Sequence, residues 1–273
     1  QNARPEPNPR FSSYRRNTAE PMFFFSLIVT AIASPPSADA LQTAWQTHGE
    51  RIGRDAHHPI RLNRSDFETV ANGRVAKRRI VDHGPDRAMG LLWTPVDRDT
   101  LWIAVLDDIH DTVVQSLTEH RLANSPEGRK RLYQRLDLPW PFNDRQWVIE
   151  IWNNQALVQS TDGAVWERTW DLTSPALMPQ PDPQALWVPM TNGSWLLVEA
   201  AGGTLLAYSA RTTIGGAIPD EVVTRWAMAT LDEMMLHIVE RSKRIPAHYG
   251  PDHETVLDGA NTPIPPFELA DPK

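Results

Sequence analysis

The pattern of apolar positions predicts one long helix in the last third of the chain. Between residues 219 and 244, apolar side chains recur every three or four positions and share one face of a helix. Pro219 suits the first helical position, because its missing N–H would have no partner there. Asp220 and Glu221 near the start, and basic residues near the end, both suit the helix dipole. At about 1.5 Å per residue, such a helix is long enough to cross a whole sheet.

Upstream of this helix, apolar and polar residues alternate in several short runs, which predicts a β-sheet. Turn signals at Asn72-Gly73 and at Thr191-Asn192-Gly193 predict two tight hairpins. Residues 41–54 and 101–106 predict helices, the second of them capped by the polar residues before it. The predicted strands are 89–96, 146–152, 165–172, 184–190, 194–200 and 204–213, together with a pair of strands within 67–81.

Both ends of the chain lack this pattern. Four arginines precede a run of eleven mostly apolar residues at 23–33, which is about half of what a membrane-spanning helix needs. With the triplet Ala38-Asp39-Ala40 behind it, the run resembles a cleaved export signal. The last 28 residues contain six prolines and predict an extended tail. We therefore expect an N-terminal extension with a signal peptide (1–40), a folded domain (41–245) and a Pro-rich C-terminal tail (246–273).

The export signal decides the expected location of the protein. Cleavage near Ala40 would deliver it to the periplasm or to the outside of the cell. If Met22 is the initiator instead, the positively charged segment is lost from the signal. Without cleavage, we expect a cytoplasmic protein.

Composition and charge exclude several classes of protein. With 41% hydrophobic and 22% charged residues over 273 positions, the chain is an ordinary globular protein rather than a disordered or multi-span membrane protein. The formal net charge is −7 and the Lys and Arg residues are dispersed, so we expect no nucleic-acid partner. The absence of cysteine excludes disulfides, thiol nucleophiles and thiolate metal sites. All eleven tryptophans lie between Trp45 and Trp226, which places the folded domain there.

Three short motifs point to a known protein family. Leu138–Val148 contains Pro-x-Pro followed by Arg, an aromatic residue and Val, and Thr212–Pro219 contains Gly-Gly-x-Ile-Pro. Leu101–Asp108 is an apolar run that ends in two acids. In their order and spacing, the three resemble the motifs of START domains, the lipid-transfer family of the SRPBCC superfamily, and the chain looks like a bacterial-type exported member. It departs from the family pattern at Gln146 and Thr212, where Asp is usual.

The resemblance implies an α+β helix-grip fold, in which a curved antiparallel β-sheet wraps around the long C-terminal helix. It also implies a hydrophobic cavity between sheet and helix that holds one lipid or other apolar small molecule. Strand alternation and analogy with the family predict which side chains face this cavity, although each of them could equally be plain core. The predicted lining consists of Trp147, Ile149, Ile151, Trp166, Trp170, Leu186, Val188, Leu197, Leu205, Val223, Trp226, Thr230 and Met234.

Ile151 bears on the class of ligand that we expect, and Arg168 bears on the charge of the cavity wall. Phospholipid-binding members of the family place a cation where this chain has Ile151, so the resemblance favours a sterol, polyprenoid, fatty acid or polyketide over a phosphate-bearing lipid. Arg168 lies in phase with the predicted lining of its strand. Because a buried charge needs a partner, we expect Arg168 to point outward; pointing inward, it would need Glu150 or Glu199.

Two functions remain open. A carrier that binds or transfers an apolar molecule needs neither a catalytic group nor a cofactor; we expect a monomer that makes transient contact with a membrane. A polyketide cyclase or aromatase would use the same cavity, with His237, Arg168, Glu150 and Glu199 as candidates for guiding proton transfer. A wall with at most one charge favours the carrier, and a buried His beside a carboxylate favours the enzyme. We favour the carrier.

No other motif indicates chemistry. The segment 107–111 (DDIHD) has ligand-type residues, but no second group lies at a suitable spacing, and we expect no metal site. Ser209 lacks the Gly-x-Ser-x-Gly context of a hydrolase nucleophile. The Gly-Gly pairs at 202–203 and 215–216 suit turns rather than a phosphate loop.

Overall fold

The computed structural model describes residues 35–49, 62–81, 84–106, 117–124 and 128–267, all within one structural unit, Ser34–Lys273. The predicted export signal up to residue 34 and the acidic segment 107–111 lie outside the described residues. The helices are α1 (Ala38–Ala44), α2 (Arg64–Ala71), α3 (Arg98–Leu106), α4 (Gln155–Ser160), α5 (Asp220–Ser242) and α6 (Ile245–His248). The strands are β1 (Ala76–Ile80), β2 (Arg87–Thr94), β3 (Leu117–Asn124), β4 (Lys130–Leu136), β5 (Arg145–Asn153), β6 (Val165–Leu172), β7 (Leu186–Trp187), β8 (Met190–Ala200) and β9 (Gly203–Thr213).

An antiparallel sheet is the centre of the fold. Its strand order is β1-β2-β9-β8-β6-β5-β4-β3, and every neighbouring pair on that path is antiparallel. The two-residue β7 pairs in parallel with the start of β5. The sheet curves around the 23-residue helix α5, which confirms the predicted α+β helix-grip fold.

Strand alternation gives the sheet two covered faces. On β9, Leu206 and Tyr208 belong to a core cluster with α3 and α5, and we call this side the inner face. Leu205 and Ala207 on the same strand belong to a second cluster with α1 and α2 on the outer face. Because the sheet is buried on both sides, several of its strands are apolar on both sides as well.

Two of the motifs that resemble the START family meet in space. Arg145 begins β5 and is only 2% exposed. Its guanidinium donates hydrogen bonds to the carbonyls of Ile214 (2.6 Å) and Gly215 (3.0 Å), in the turn between β9 and α5. The planar fork of donors suits two neighbouring acceptors. Arg145 therefore fixes the start of α5 relative to the sheet.

The predicted hairpin around Asn72-Gly73 is absent. Helix α2, rather than a strand, precedes this turn in the chain. A capping box starts the helix: the Asn63 side chain accepts the N–H of Asp66 (3.3 Å), and the Asp66 carboxylate accepts the N–H of Asn63 (2.7 Å). Gly73, at φ +70°, follows the end of the helix, so its left-handed conformation serves a helix end rather than a hairpin. Only β1 follows within the predicted pair of strands.

The predicted hairpin at residues 191–193 is also absent, since β8 runs without a break from Met190 to Ala200. Gly193 does not form a turn; its lack of a side chain lets neighbouring groups on β6 and β9 come close to the backbone of β8. A Cβ atom there would lie 2.3 Å from Cζ2 of Trp170 on β6 and 2.4 Å from the carbonyl oxygen of Ser209 on β9. The indole of Trp170 therefore lies across the backbone of β8.

Strands β3 and β4 occupy a segment in which the sequence pattern predicts no strand. On β4, Leu132 and Gln134 face the inner side, whereas Tyr133 is buried on the other side and donates a hydrogen bond to Gln146 (3.0 Å). Each face of the strand thus mixes apolar and polar residues. The prediction of a strand depends on a difference in polarity between its two faces, and β4 lacks that difference.

The chain folds back on itself after α5. Residues 249–267, here called the C-terminal segment, contain the buried Tyr249, whose hydroxyl donates to the carbonyl of Ile264 (2.7 Å). The indole N–H of Trp102 on α3 donates to the carbonyl of Leu257 (2.9 Å). The part of the Pro-rich region that the structure describes is therefore tied to the domain.

The predicted start of the folded domain falls inside α1. Ser37 caps this helix by accepting the N–H of Ala40 (3.2 Å), and the side chain of Leu41 is fully buried. The boundaries after residues 40 and 245 stay predictions. None of the helices that the structure describes is both long enough and apolar enough to span a membrane.

Helix α5 comes closest to the sheet over β2. A Cβ atom on Gly90 would lie 2.4 Å from the Sδ of Met235 and 3.0 Å from Cδ2 of Leu231. Both side chains are buried on α5. A glycine at this strand position therefore sets how near the helix can approach the sheet.

We expect the substitution Gly90→Ala to lower the free energy of unfolding by about 1–3 kcal/mol, because the added methyl group overpacks the contact with α5. The measurement is urea denaturation followed by circular dichroism. Gly250→Ala is the matched control, since a Cβ there meets no atom within 4 Å. Equal stability of the two variants would contradict the expectation.

Candidate ligand-binding cavity

A cavity of about 290 Å³ lies between the inner face of the sheet and the helices α3 and α5. Strands β3, β4, β5, β6, β8 and β9 supply one side of its wall, and the end of α3 with the second half of α5 supplies the other. Most of the wall consists of aliphatic and aromatic side chains. A concave, mainly apolar site with a few polar groups is the usual form of a small-molecule site.

Five of the predicted lining residues lie together in this wall: Trp147, Ile149, Ile151, Trp170 and Met234. The first three alternate along β5, and Trp170 pairs with Ile151 across to β6. Met234 reaches the cavity from α5. Their role as ligand contacts remains a prediction.

Three of the predicted sheet residues lie in cores outside the wall. Trp166 packs edge-on against Trp102 of α3, with ring centroids 5.4 Å apart, so α3 covers it. Leu197 belongs to the same core cluster. Leu205 is one position out of phase, because Leu197 pairs with Leu206, and Leu205 therefore faces α1 and α2.

The other five predicted residues also lie outside the wall. Val188 packs in the core beside β5, and Leu186 is 42% exposed next to it. On α5, Trp226 is 44% exposed because it precedes the buried Leu231 by five residues, roughly 140° around the helix. The remaining two, Val223 and Thr230, are respectively buried and half-buried on α5 away from the cavity.

Sequence reasoning missed the part of the wall that β3 and β4 supply. There, the indole N–H of Trp147 donates to Oε1 of Gln134 (2.5 Å), and the amide nitrogen of Gln134 donates to the carboxylate of Glu119. This chain of hydrogen bonds crosses three strands and gives one end of the cavity a polar rim. The sequence KRLYQRL gives no clear signal for it, because both faces of β4 mix apolar and polar side chains.

Arg168 does not point outward as expected. It is 8% exposed and lines the cavity, and its Nη1 donates to Oδ1 of Asn153 (2.8 Å). The amide nitrogen of Asn153 in turn donates to the Asp258 carbonyl and to Oδ1 of Asn261, both at 2.8 Å. An amide bonded to the C-terminal segment, rather than Glu150 or Glu199, is thus one partner of this buried charge.

Two further cations in the wall lie at the end of α3. Arg241 donates from Nη1 to the carbonyl of Ala104 (3.2 Å), and Lys130 donates from Nζ to that of Leu106 (3.4 Å). The last carbonyls of a helix carry partial negative charge and attract cations. The described wall therefore contains several charged side chains rather than at most one, and these two bind groups of the protein itself.

The residues expected to serve a cyclase are not brought together. Glu150 pairs with Arg129 (2.8 Å), just before β4, and with Arg131 (3.0 Å) on β4, outside the cavity. Glu199 pairs with Arg98 (3.0 Å). His237 is half-buried on α5, and no histidine is among the described residues of the wall. In the described ranges, no three His, Asp or Glu side chains form a group that could hold a metal ion.

Tyr208 is the titratable aromatic group of the wall. Burial raises its pKa to about 12, and the positive charge of Arg87 offsets only part of this effect. The ring lies 4.6 Å from Trp195 and 5.8 Å from Trp170, measured between centroids, so three aromatic rings form one side of the cavity. The neutral phenol is therefore the form that the fold favours.

No protein-family model and no curated protein sequence matches the chain. Solved structures do. Human STARD10 is 13% identical with a TM-score of 0.54, covering 78% of this chain and 82% of that one. Human StAR-related lipid transfer protein 5 is 14% identical with a TM-score of 0.51, covering 76% and 98%. A STAR-related lipid transfer protein from Xanthomonas axonopodis is 20% identical with a TM-score of 0.47, covering 62% and 89%. The chain thus has the START-type fold.

The raised pKa of Tyr208 predicts that the stability of the protein falls at high pH. Its pKa is about 12 in the folded protein and about 10 in the unfolded one, so its contribution to stability is complete below pH 10 and is lost as the pH rises through 12. The difference in tyrosinate absorbance between the parent and Tyr208→Phe should show a midpoint near pH 12. A midpoint near pH 10 would mean that water solvates the phenol freely.

Proposed function

We propose that the chain binds one apolar small molecule in the cavity between α5 and the inner face of the sheet, and shields it from water. The observation that supports this most directly is the cavity itself, about 290 Å³ and mainly apolar. Its structural neighbours support the same proposal, since one of them is named a lipid transfer protein. Each Å² of apolar ligand surface removed from water would contribute about 25 cal/mol before the entropic cost of binding.

The size of the cavity narrows the ligand class. Its volume of about 290 Å³ lies just below the range of roughly 300–1,000 Å³ typical of small-molecule sites. A single acyl or prenyl chain, or a compact ring system, suits this volume better than a phospholipid with two chains. Among the expected ligands, we favour a fatty acid, a short polyprenoid or a small polyketide over a sterol.

Where the protein works is a further part of the proposal. The apolar run and the Ala-x-Ala triplet before Leu41 favour export, and a carrier of water-insoluble molecules is needed where they must cross an aqueous compartment. A periplasmic or secreted monomer is the form we propose. Retention of residues 1–40 would place the same carrier in the cytoplasm.

An aromatase or cyclase is the second candidate, and the buried Arg168 in the wall favours it. A cation could stabilise the negative charge that develops on a polyketide oxygen. Such an enzyme also needs a group that moves a proton. Glu119 is the carboxylate that the described wall offers, and Gln134 donates a hydrogen bond to it.

The proposal is tested with the full chain and a neutral fluorescent probe, N-phenyl-1-naphthylamine. We expect one probe per chain, displaced by a fatty acid. Ile149→Trp adds bulk in the middle of the wall and should weaken binding at least about tenfold, because the lost cavity space also loses its apolar contacts. Leu236→Trp adds the same side chain at a site that is 50% exposed on α5 and should leave binding unchanged.

Mass spectrometry of the protein purified without denaturation separates the two candidates. A carrier should yield a stoichiometric apolar compound on solvent extraction, chemically unchanged by the protein. A cyclase should convert a linear polyketide to a ring product, and Arg168→Met should abolish that conversion. A folded protein that takes up no probe, or an Ile149→Trp variant that binds like the parent, would overturn the proposed cavity site.

A further inference from the structure

Three aromatic side chains in the cavity wall are in contact with one another. The ring of Tyr208 on β9 lies 4.6 Å from that of Trp195 on β8 and 5.8 Å from that of Trp170 on β6, measured between centroids. All three residues line the cavity, and we call them the aromatic cluster. Each of these side chains combines a large apolar ring with one hydrogen-bond donor, a phenol O–H or an indole N–H.

The structure gives none of these three donors a partner. No hydrogen bond joins the hydroxyl of Tyr208, or the indole N–H of Trp170 or of Trp195, to a residue that the structure describes. All three side chains are half-buried although they lie on the covered inner face, because the free part of their surface borders the cavity. A molecule in the cavity would therefore meet them.

The other polar groups of the described wall have partners within the protein. The hydroxyls of Thr191 and Thr212 bond each other (2.9 Å). Gln134 accepts the indole N–H of Trp147 (2.5 Å) and donates to the carboxylate of Glu119. The cations of the wall donate to an amide and to helix carbonyls, as described above. The donors of the aromatic cluster are therefore exceptional in this wall.

Burial gives the free hydroxyl of Tyr208 an energetic cost. The surrounding protein raises the pKa of Tyr208 to about 12, so at neutral pH the phenol keeps its proton and can donate it. A hydroxyl that is taken out of water without a new partner costs free energy. Native structures rarely keep such a group in their interior unless a water molecule or a ligand completes it.

The packing around Tyr208 holds its ring in place. On one side, Tyr208 pairs across to Gly90 on β2. Two side chains of α5, Met235 and Leu231, pack against that glycine. On the other side, Tyr208 pairs across to Trp195 on β8, and the two rings are in contact. The phenol thus lies where the closed core ends and the cavity begins, and a donor held in advance loses little freedom when a ligand binds.

The chemistry of the aromatic cluster indicates which polar group would suit it. The cluster offers three donors, and the phenol oxygen is the one atom in it that can also accept. A carbonyl oxygen accepts hydrogen bonds and brings no proton that needs a partner in turn. The flat rings suit a planar ligand that stacks against them with an offset. A planar apolar molecule with a carbonyl group meets both conditions.

We propose that Tyr208 determines the specificity of the cavity, and that its hydroxyl donates a hydrogen bond to a carbonyl oxygen of an otherwise apolar, planar ligand. The rings of Trp170 and Trp195 contact the apolar part of the same ligand. This inference rests on the proposed function. It narrows the ligand from apolar molecules in general to carbonyl compounds such as ketones and quinones, because a plain hydrocarbon would leave the buried hydroxyl without a partner.

The test compares two ligands that differ in one oxygen atom, fluorenone and fluorene, by displacement of N-phenyl-1-naphthylamine from the full chain. Tyr208→Phe removes the hydroxyl and keeps the ring. It should weaken the binding of fluorenone about three- to tenfold, the usual effect of one neutral hydrogen bond, and leave the binding of fluorene unchanged. The two ligands also differ in hydration, but this difference is the same for both proteins and cancels in the comparison.

Tyr133→Phe is the matched control. It makes the same chemical change outside the cavity, where the hydroxyl of Tyr133 donates to Gln146 (3.0 Å), and should change the binding of neither ligand. Urea denaturation of the ligand-free proteins gives a second readout. Tyr208→Phe should not lower the free energy of unfolding, because no protein group loses a partner, whereas Tyr133→Phe should lower it.

Three outcomes would overturn the inference. If Tyr208→Phe weakens the binding of both ligands equally, the ring packing and not the hydroxyl is responsible. If it weakens the binding of neither, water completes the hydroxyl. If it lowers the free energy of unfolding as much as Tyr133→Phe does, the hydroxyl has a partner in the protein. Binding of fluorene by the parent tests the cavity alone, so a parent that binds neither ligand contradicts the proposed function as well.

Discussion

The structure depends on an uneven distance between α5 and the sheet. Over β2 the helix is near enough to touch the backbone, because Gly90 has no side chain and Met235 and Leu231 fill the space. Over β5 and β6 the sheet carries large side chains such as Trp147 and Trp170, and the gap that they border stays open. A curved sheet against a straight helix cannot be in close contact everywhere. Where the small residues lie decides which part becomes core and which part becomes cavity.

The polar groups inside this apolar space connect it to distant parts of the chain. Arg168 reaches the C-terminal segment through Asn153, and Arg241 and Lys130 bind the last carbonyls of α3. A buried charge is tolerated when hydrogen bonds replace its water. These cations therefore hold the domain together, and they also line the cavity, where they can bind a polar atom of a ligand. The START-type neighbours show only the fold. The kind of ligand therefore has to be inferred from the side chains of this cavity.

The sequence pattern could predict elements whose two faces differ in polarity. Helix α5 and strand β5 have such faces, and their bounds were predicted to within a few residues. Strand β9 is apolar on both faces and was predicted from the Gly-Gly pair that precedes it. Strands β3 and β4 were missed because a cavity wall with polar groups removes that contrast. Leu205 and Trp226 were assigned to the cavity because spacing alone does not fix the phase of a strand or the rotation of a helix. Arg168 was expected outside because its amide partner, Asn153, lies on the neighbouring strand and has no sequence signal.

Gly193 limits which half of this contact evolution can change. A side chain at this position would meet the Trp170 ring and also the carbonyl oxygen of Ser209 on β9. Replacing Trp170 by a smaller residue would enlarge the cavity and remove the first obstacle, but the backbone of β9 would remain as the second. Substituting Gly193 would displace the ring and strain the sheet. Relatives that evolve toward larger ligands along this strand pair are therefore expected to vary the tryptophan and to keep the glycine, so that one partner of the contact is free to drift and the other is not.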